Sequence, residues 1–265
     1  MTQIWGIVNV TPDSFSDGGR YLEAEKAIAH GRLLRAQGAD VLDVGGESTR
    51  PGSEPVGAEE EIRRVLPVIE ALAADGATVS VDTYRAETAR VALAAGARIV
   101  NDVSGGLAEP EILNVAAGAH AFVALGHWRG PSADMYANAS YDRIGAEVAA
   151  ELRDRADAAL EAGVLRERII LDPGIGFAKA GEQNWTLLRQ LDEVRRLGFP
   201  VLIGTSRKRF LSTALGEDAS EARKDLATAV TSAFAARHGL HAVRVHDVAS
   251  TRDAIAVMEA WEGWD

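Results

Sequence analysis

Asp82, Asn101 and Asp172 each close a short apolar run, and together they offer two carboxylates and one carboxamide. Brought to one place, such groups can read the donor and acceptor edge of a heterocycle, much as acidic and amide side chains read base edges. A carboxylate pair for glycoside hydrolysis is the other chemistry open to them. A lone Asp ahead of a helix is most simply a cap, and Asp82 before Thr83-Tyr84-Arg85-Ala86-Glu87 has that option. Capping does not account for all three. Cationic groups follow later, in Gly204-Thr205-Ser206-Arg207-Lys208-Arg209 and in Arg244-Val245-His246-Asp247. Positive charge at a helix start opposes the helix dipole, so local stability does not explain the first run. Arg244 and His246, two apart on a strand, point the same way. Lys208, Arg244 and His246 therefore suit a diphosphate or a carboxylate. Arg50, in Gly45-Gly46-Glu47-Ser48-Thr49-Arg50-Pro51-Gly52, adds a planar fork fitted to the same anions.

These residues need elements to position them. Eight apolar runs cover residues 4–8, 41–44, 78–81, 97–100, 121–125, 169–171, 201–203 and 242–245. They are short and continuous rather than alternating, as strands buried on both faces should be. Nearly all end in or beside a polar residue: Asn9, Asp43, Asp82, Asn101, Asp172, Ser206 and His246, with Gly126 the exception. Between them lie helical patterns, Ala24, Ala27, Ile28, Gly31 and Leu34 in one, Ile62, Val65, Leu66, Ile69 and Leu72 in another. Pro67 should kink the second or loosen one turn. Gly38, Gly76, Gly96, Gly118, Gly163, Gly198 and Gly239 each end a helical stretch and lead into the next strand, as C-terminal caps do. Eight βα units in 265 residues predict an α/β fold, a single (β/α)8 TIM barrel over 1–265 with its site at the C-terminal ends of the strands. The open doubly wound sheet is the alternative, but no Gly-x-Gly-x-x-Gly follows the first strand. The long first loop, residues 9–19, carries Phe15 between Asp13 and Asp17 and reads as a lid or substrate clamp.

Composition narrows the partners. A net charge of −11 argues against a nucleic-acid or anionic-membrane surface, and it requires any anion site to concentrate its cations locally. Cysteine is absent, which removes disulfides and thiolate chemistry and fits a reducing, cytoplasmic setting. The first residues show no signal-peptide pattern, and no apolar stretch approaches the ~18 residues of a membrane span. No His or carboxylate spacing matches a zinc site. A hard ion such as Mg2+ can be held by one or two protein oxygens and a phosphate, so its site leaves no motif.

Residues 9–19, 38–52, 80–84, 101–105, 172–177, 204–208 and 244–248 resemble the dihydropteroate synthases, and the match spans almost the whole chain. Gly-Glu-Ser-Thr-Arg-Pro-Gly at 46–52 and Thr-Ser-Arg-Lys at 205–208 are specific in combination; His127-Trp128-Arg129 and Phe177-Ala178-Lys179 are similar to the actinobacterial forms. The resemblance implies a transferase of folate biosynthesis that joins 6-hydroxymethyl-7,8-dihydropterin diphosphate to p-aminobenzoate. It implies that Asp82, Asn101, Asp172 and Lys208 hold the pterin. Arg244, His246 and Asn9, the last through Mg2+, take the diphosphate. Thr49, Arg50, Pro51, Phe15 and Ser206 shape the p-aminobenzoate pocket, and Lys208, Arg244, His246, Arg50 and Asp17 are the expected catalytic set. A homodimer and inhibition by sulfonamides are implied as well. One departure stands out: the family's usual Met before the His of the fifth-strand motif is Gly126, which should leave a void or admit Trp5 or Trp128. Gln183 and Ala180 also replace a common His and Thr. Two rivals stay open, a folate- and corrinoid-dependent methyltransferase barrel, and a catalytically silent pterin-binding paralogue motivated by Gly126.

Overall fold

In the computed structural model, which describes residues 1–10, 20–47, 56–130 and 139–264, each apolar run forms a strand. These are β1 (Gln3–Asn9), β2 (Val41–Gly45), β3 (Val79–Asp82), β4 (Ile99–Asp102), β5 (Phe122–Gly126), β6 (Ile169–Asp172), β7 (Leu202–Ile203) and β8 (Ala242–Val245). Among the described residues the helices are α1 (Arg20–Ala36), α2 (Ala58–Ala74), α3 (Ala86–Ala94), α4 (Glu111–Gly118), α5 (Ile144–Glu161), α6 (Glu182–Arg189), α7 (Leu191–Arg195), α8 (Ser212–Leu215), α9 (Glu221–Arg237) and α10 (Val248–Glu262). The strands are parallel in the order β6-β5-β4-β3-β2-β1-β8-β7. The ring closes between β6 and β7 through the bridge Leu171–Val201 and a 2.8 Å bond from Leu171 N to the Pro200 carbonyl. The chain is a TIM barrel, as its βα periodicity predicts.

Strand alternation explains how the fold makes a site. Trp5, Val41, Ile99, Ala124, Ile170, Leu202 and Ala242 form an apolar plug distinct from the larger core between strands and helices. Side chains two residues further along a strand share that inward face. Counting two from the plug gives Ile7, Asp43, Asn101, Gly126, Asp172, Gly204 and Arg244, and the register pairs Asp82 with Asn101. A polar layer thus sits on an apolar one, at the strand ends where barrels of this kind keep their chemistry.

One local expectation changes. Gly118 is the last residue of α4 rather than a left-handed cap; His120, at φ 50°, takes the left-handed turn into β5. Pro67 does not break α2, which runs from Ala58 to Ala74. Pro67 lies on the exposed face of the helix.

Glu61, one of a run of three acids at the start of α2, is 1 % exposed. It accepts from Thr83 Oγ1 at 3.1 Å, Thr88 Oγ1 at 2.6 Å and Arg85 Nη1 at 3.1 Å. Arg85 Nη2 also reaches Glu47 Oε2 at 2.8 Å and the Val56 carbonyl at 2.6 Å, while Val56 N donates to Glu47 Oε2 at 2.9 Å. This buried cluster fixes the end of β2, the start of α2 and the start of α3 against one another. Removing one partner of such a cluster leaves a buried charge under-compensated, so Glu61→Ala should lower unfolding free energy by about 3 kcal/mol. Urea denaturation measures it, and an unchanged midpoint would show that the cluster carries no stability.

Candidate active site

Arg244 occupies the centre of the polar layer. Its Nε donates to Asp43 Oδ2 at 2.5 Å and its Nη2 to Asp82 Oδ2 at 2.7 Å. Asn101 Nδ2 donates to the same Asp43 oxygen at 3.0 Å. Strands β2, β3, β4 and β8 therefore converge on one guanidinium. Burial opposes its charge, but Asp43 and Asp82 outweigh that and raise its pKa further. Burial pushes the Asp82 carboxyl up, with the Arg244 charge pulling it back. Two of the five N–H donors of a guanidinium are used by these bonds, which leaves three for a ligand. Asp43 Oδ1 and the hydroxyl of Ser80, its register partner on β3, are buried without hydrogen-bond partners.

The second half of the mouth comes from β6 and β7. Asp172 Oδ1 accepts from Gly174 N at 2.8 Å, and burial raises the acid's pKa against the pull of Lys208. The Lys208 ammonium donates to the Ile175 carbonyl and lies 4.4 Å from the centroid of the Phe177 ring. Burial lowers its pKa to about 8, with Asp172 opposing. Ser206 Oγ lies 2.8 Å from His246 Nδ1 and accepts from His246 N at 3.1 Å. Since the hydroxyl oxygen already accepts there, its proton is available to Nδ1, which favours the tautomer with hydrogen on Nε2.

The expected residues thus fall into three groups. Asp82, Asn101 and Arg244 share one network, with Asp43 at its base; Asp172 and Lys208 face each other across the next sector; Ser206 and His246 bridge β7 and β8. Of the basic run, only Lys208 joins the site. Arg207, at φ 55°, pairs outward with Asp225 at 2.7 Å and Glu221 at 3.1 Å, and Arg209 is exposed. Asn9 is half-buried at the end of β1, beside Gly45 of β2. Phe15, Asp17, Thr49, Arg50 and Pro51 lie outside the described residues. Sequence reading left Asp43 without a task, although its place two residues beyond Val41 of the plug marks it as inward-facing. Lys179, known from the sequence only as part of the Phe177-Ala178-Lys179 motif and given no task there, is buried beneath the mouth.

The space a side chain at 126 would enter is taken by backbone and not by Trp5. A Cβ built there would meet the Val103 carbonyl oxygen at 2.5 Å and two more Val103 backbone atoms at 2.8 Å. Trp5 stays in the apolar plug. The turn after β4 comes in because it is tied to Asp102, whose carboxylate accepts from Ser104 N, Ser104 Oγ and Gly106 N at 2.8, 2.7 and 2.6 Å.

A pterin binding enzyme family matches residues 5–246. The dihydropteroate synthase of Mycobacterium leprae (strain TN) is 49 % identical over 98 % of this chain and 93 % of its own length. That of Streptococcus pyogenes serotype M3 is 47 % identical over 96 % of this chain and 94 % of its own. The chain belongs to the dihydropteroate synthase family. Its fold superposes on the Xanthomonas albilineans enzyme with 4-aminobenzoic acid at a TM-score of 0.92 and 44 % identity, covering 100 % of this chain and 94 % of that one. The same organism's enzyme in complex with 7,8-dihydropteroate matches at 0.88 and 42 % identity, over 100 % and 95 % of the two chains.

A larger residue at 126 must displace backbone rather than a side-chain tip. Gly126→Met should therefore destabilise the protein by about 1–3 kcal/mol despite restoring the family's common residue. A thermal or urea midpoint equal to or above the parent's would show that the Val103 turn moves aside freely.

Proposed function

We propose that the polar layer of this barrel carries out the family reaction, condensing 6-hydroxymethyl-7,8-dihydropterin diphosphate with p-aminobenzoate to give 7,8-dihydropteroate and diphosphate. The observation that carries the reading is the pairing of an acid and amide set, Asp82, Asn101 and Asp172, with three cationic or imidazole groups, Lys208, Arg244 and His246, in one mouth. The first set matches the amino and amide edge of a pterin; the second matches an anionic leaving group. Rings of this kind are held by fixed donors and acceptors, and a fixed pose removes the entropic cost of bringing the reacting atoms together.

In the reaction the bond between the exocyclic methylene carbon and the diphosphate oxygen breaks. The electron-rich pterin delocalises the developing positive charge. The p-aminobenzoate nitrogen supplies the electron pair of the new C–N bond and loses a proton. Asp82 and Asp172 hold the ring while this happens. Arg244 offers its remaining N–H donors to the departing diphosphate, and His246, oriented by Ser206, offers Nε2–H. The arylamine is a sufficient nucleophile without a strong base, and the Ser206–His246 pair, at 2.8 Å, serves the leaving diphosphate in this reading rather than the amine. Thr49, Arg50, Pro51, Phe15 and Asp17 complete the p-aminobenzoate side in this reading.

Asn9 is the proposed protein ligand for Mg2+. Among the described residues no three His, Cys, Asp or Glu side chains cluster in a way that could cage an ion. A single amide oxygen at the end of β1, next to the strand that carries Arg244 and leads into His246, suits a cation held mainly by phosphate and water. When bound, Mg2+ supplies positive charge to the leaving diphosphate.

The proposed assembly is a homodimer. Leu226, Val230 and Phe234 form an exposed stripe along α9, at 64, 47 and 56 % exposure. Val257 and Trp261 continue it on the adjoining α10 at 70 and 88 %. Arg237 and Glu262 form an ion pair across the same two helices. An apolar patch with both charge signs beside it can face a second copy of itself across a two-fold axis.

Pyrophosphate release measured with both substrates tests the reaction. It should require p-aminobenzoate and Mg2+ together, and Lys208→Ala should reduce it by about a hundredfold or more. The free-enzyme profile, kcat/KM for the pterin substrate, should fall as pH rises through about 8, where Lys208 loses its proton. Near-normal turnover by Lys208→Ala would sink the residue assignment. For the assembly, Phe234→Glu should convert a dimer to a monomer in light scattering while leaving the barrel folded; a parent protein that is already monomeric would refute the dimer.

A further inference from the structure

The turn after β6 is built around a lysine that the reaction leaves unused. Lys179 is 1 % exposed, yet each proton of its ammonium has an acceptor: the Phe177 carbonyl at 2.8 Å, the Gly174 carbonyl at 3.0 Å and His127 Nδ1 at 3.0 Å. His127 is fastened at its other nitrogen, with Nε2 3.0 Å from Glu151 Oε2 on α5. Burial and the neighbouring Lys179 charge lower the imidazole pKa to about 4, so the ring is neutral. The tautomer with hydrogen on Nε2 satisfies both bonds, donating to Glu151 and accepting from Lys179. A buried ammonium is costly unless it is paired or fully hydrogen-bonded. Here the structure surrounds one with three acceptors drawn from two different loops.

The carbonyls that Lys179 holds bracket the one that Lys208 uses. Lys179 takes residues 174 and 177 from below; Lys208 takes Ile175 from the mouth. The Lys208 stem rests on Gly176, where a Cβ would stand 2.8 Å from Lys208 Cδ, and φ of +87° strains any substitution there. Gly174 N, on the same turn, donates to Asp172 Oδ1 at 2.8 Å. Asn184 Oδ1 supports the turn again by accepting from Gly176 N at 2.6 Å. Any shift of this backbone moves the supports of Lys208 and Asp172 together.

We propose that Lys179 is a positioning residue for the pterin substrate: held by His127 and Glu151, it fixes the 174–177 turn that sets where Lys208 and Asp172 stand. It touches no substrate itself. This rests on the reading of Asp172 and Lys208 as pterin contacts.

The test compares parent, Lys179→Met, Glu151→Gln and Lys208→Ala. Pterin diphosphate Kd is titrated without p-aminobenzoate, and the p-aminobenzoate KM is measured at saturating pterin. Lys179→Met should weaken pterin binding by about tenfold or more while changing the p-aminobenzoate KM less than about twofold. Glu151→Gln weakens the anchor of His127, together with the Arg129 ion pair on the same carboxylate, at a side chain 39 % exposed, and it should weaken pterin binding about threefold. Because the chain has no cysteine, Lys179→Cys can be aminoethylated in denaturant at one site alone and refolded. That product, an ammonium on a chain of lysine length, should recover most of the pterin affinity. A merely structural role would instead lower the active fraction and leave Kd unchanged. Unchanged pterin Kd in both Lys179→Met and Glu151→Gln overturns the proposal, as does a failure of aminoethylation to restore affinity in the refolded protein. If Lys179→Met does not fold, Glu151→Gln and the aminoethylated protein decide the matter on their own. Lys208→Ala separates the two readings: if it too binds pterin normally, the assignment of the pterin contacts fails, and if it alone loses binding, only the role of Lys179 fails.

Discussion

One buried guanidinium organises the mouth of this barrel. Arg244 reaches from β8 across the layer to Asp43 on β2 and Asp82 on β3, and Asn101 of β4 joins at the shared Asp43 oxygen. An unpaired charge at this depth would cost several kcal/mol, so each member of the group requires the others. The arrangement also answers the problem posed by a net charge of −11. An acidic protein cannot attract an anion through its overall field. It can place a cation where local acids fix its orientation without using all of its donors. Asp43 is the member that makes this possible, because it holds Nε and leaves most of the outer edge of the guanidinium to a ligand.

Around that centre the site is shaped as much by missing side chains as by present ones. Gly204 has the Lys208 ammonium 3.7 Å from where its Cβ would be, and Gly45 has the Asp82 carboxylate at 3.5 Å. These are inward positions in which any side chain would enter the space beside the charged groups. Gly126 belongs to the same layer but differs in effect. The space beside it is closed by the Val103 backbone, and the Asp102 carboxylate bonds to that turn make the closure stiff. The result is a backbone wall where the family's common residue would put a flexible thioether.

The barrel was legible because its signal is local and repeated. Short apolar runs, each followed by a helical period and a glycine, leave few other folds. The inward residues were legible in kind, since a carboxylate or amide at a strand end stands out against an apolar run. Their mutual bonding was not. Nothing in the spacing of Asp43, Asp82 and Arg244 says that residues 201 and 162 positions apart share hydrogen bonds. That follows only once strands close into a ring and parity aligns them. Glu61 was hidden for a different reason. In a run of three acids at a helix start it looks like solvated charge favoured by the dipole, whereas one face of that helix turns toward Arg85. Arg207 misled in the opposite sense, since a basic run suggests a shared anion site and a left-handed backbone sends one member outward to Asp225.

The two lysines that bond the 174–177 turn show why donor satisfaction, rather than residue type, separates support from reaction. Lys179 and Lys208 bond to the same turn and are both drained of charge stability by burial, to about 7 and about 8. Lys179 has three acceptors for three protons and nothing left to offer. Lys208 has one carbonyl acceptor and the face of Phe177, so at least one strong donor remains. An ammonium with unspent donors at the edge of a pocket is stabilised when a ligand brings acceptors to it, and that gain appears as binding. An ammonium already complete gains nothing from a ligand and serves only by staying where it is. The sequence motif around residue 208 and the neglected lysine at 179 thus form one device, in which the satisfied cation holds the backbone that aims the unsatisfied one.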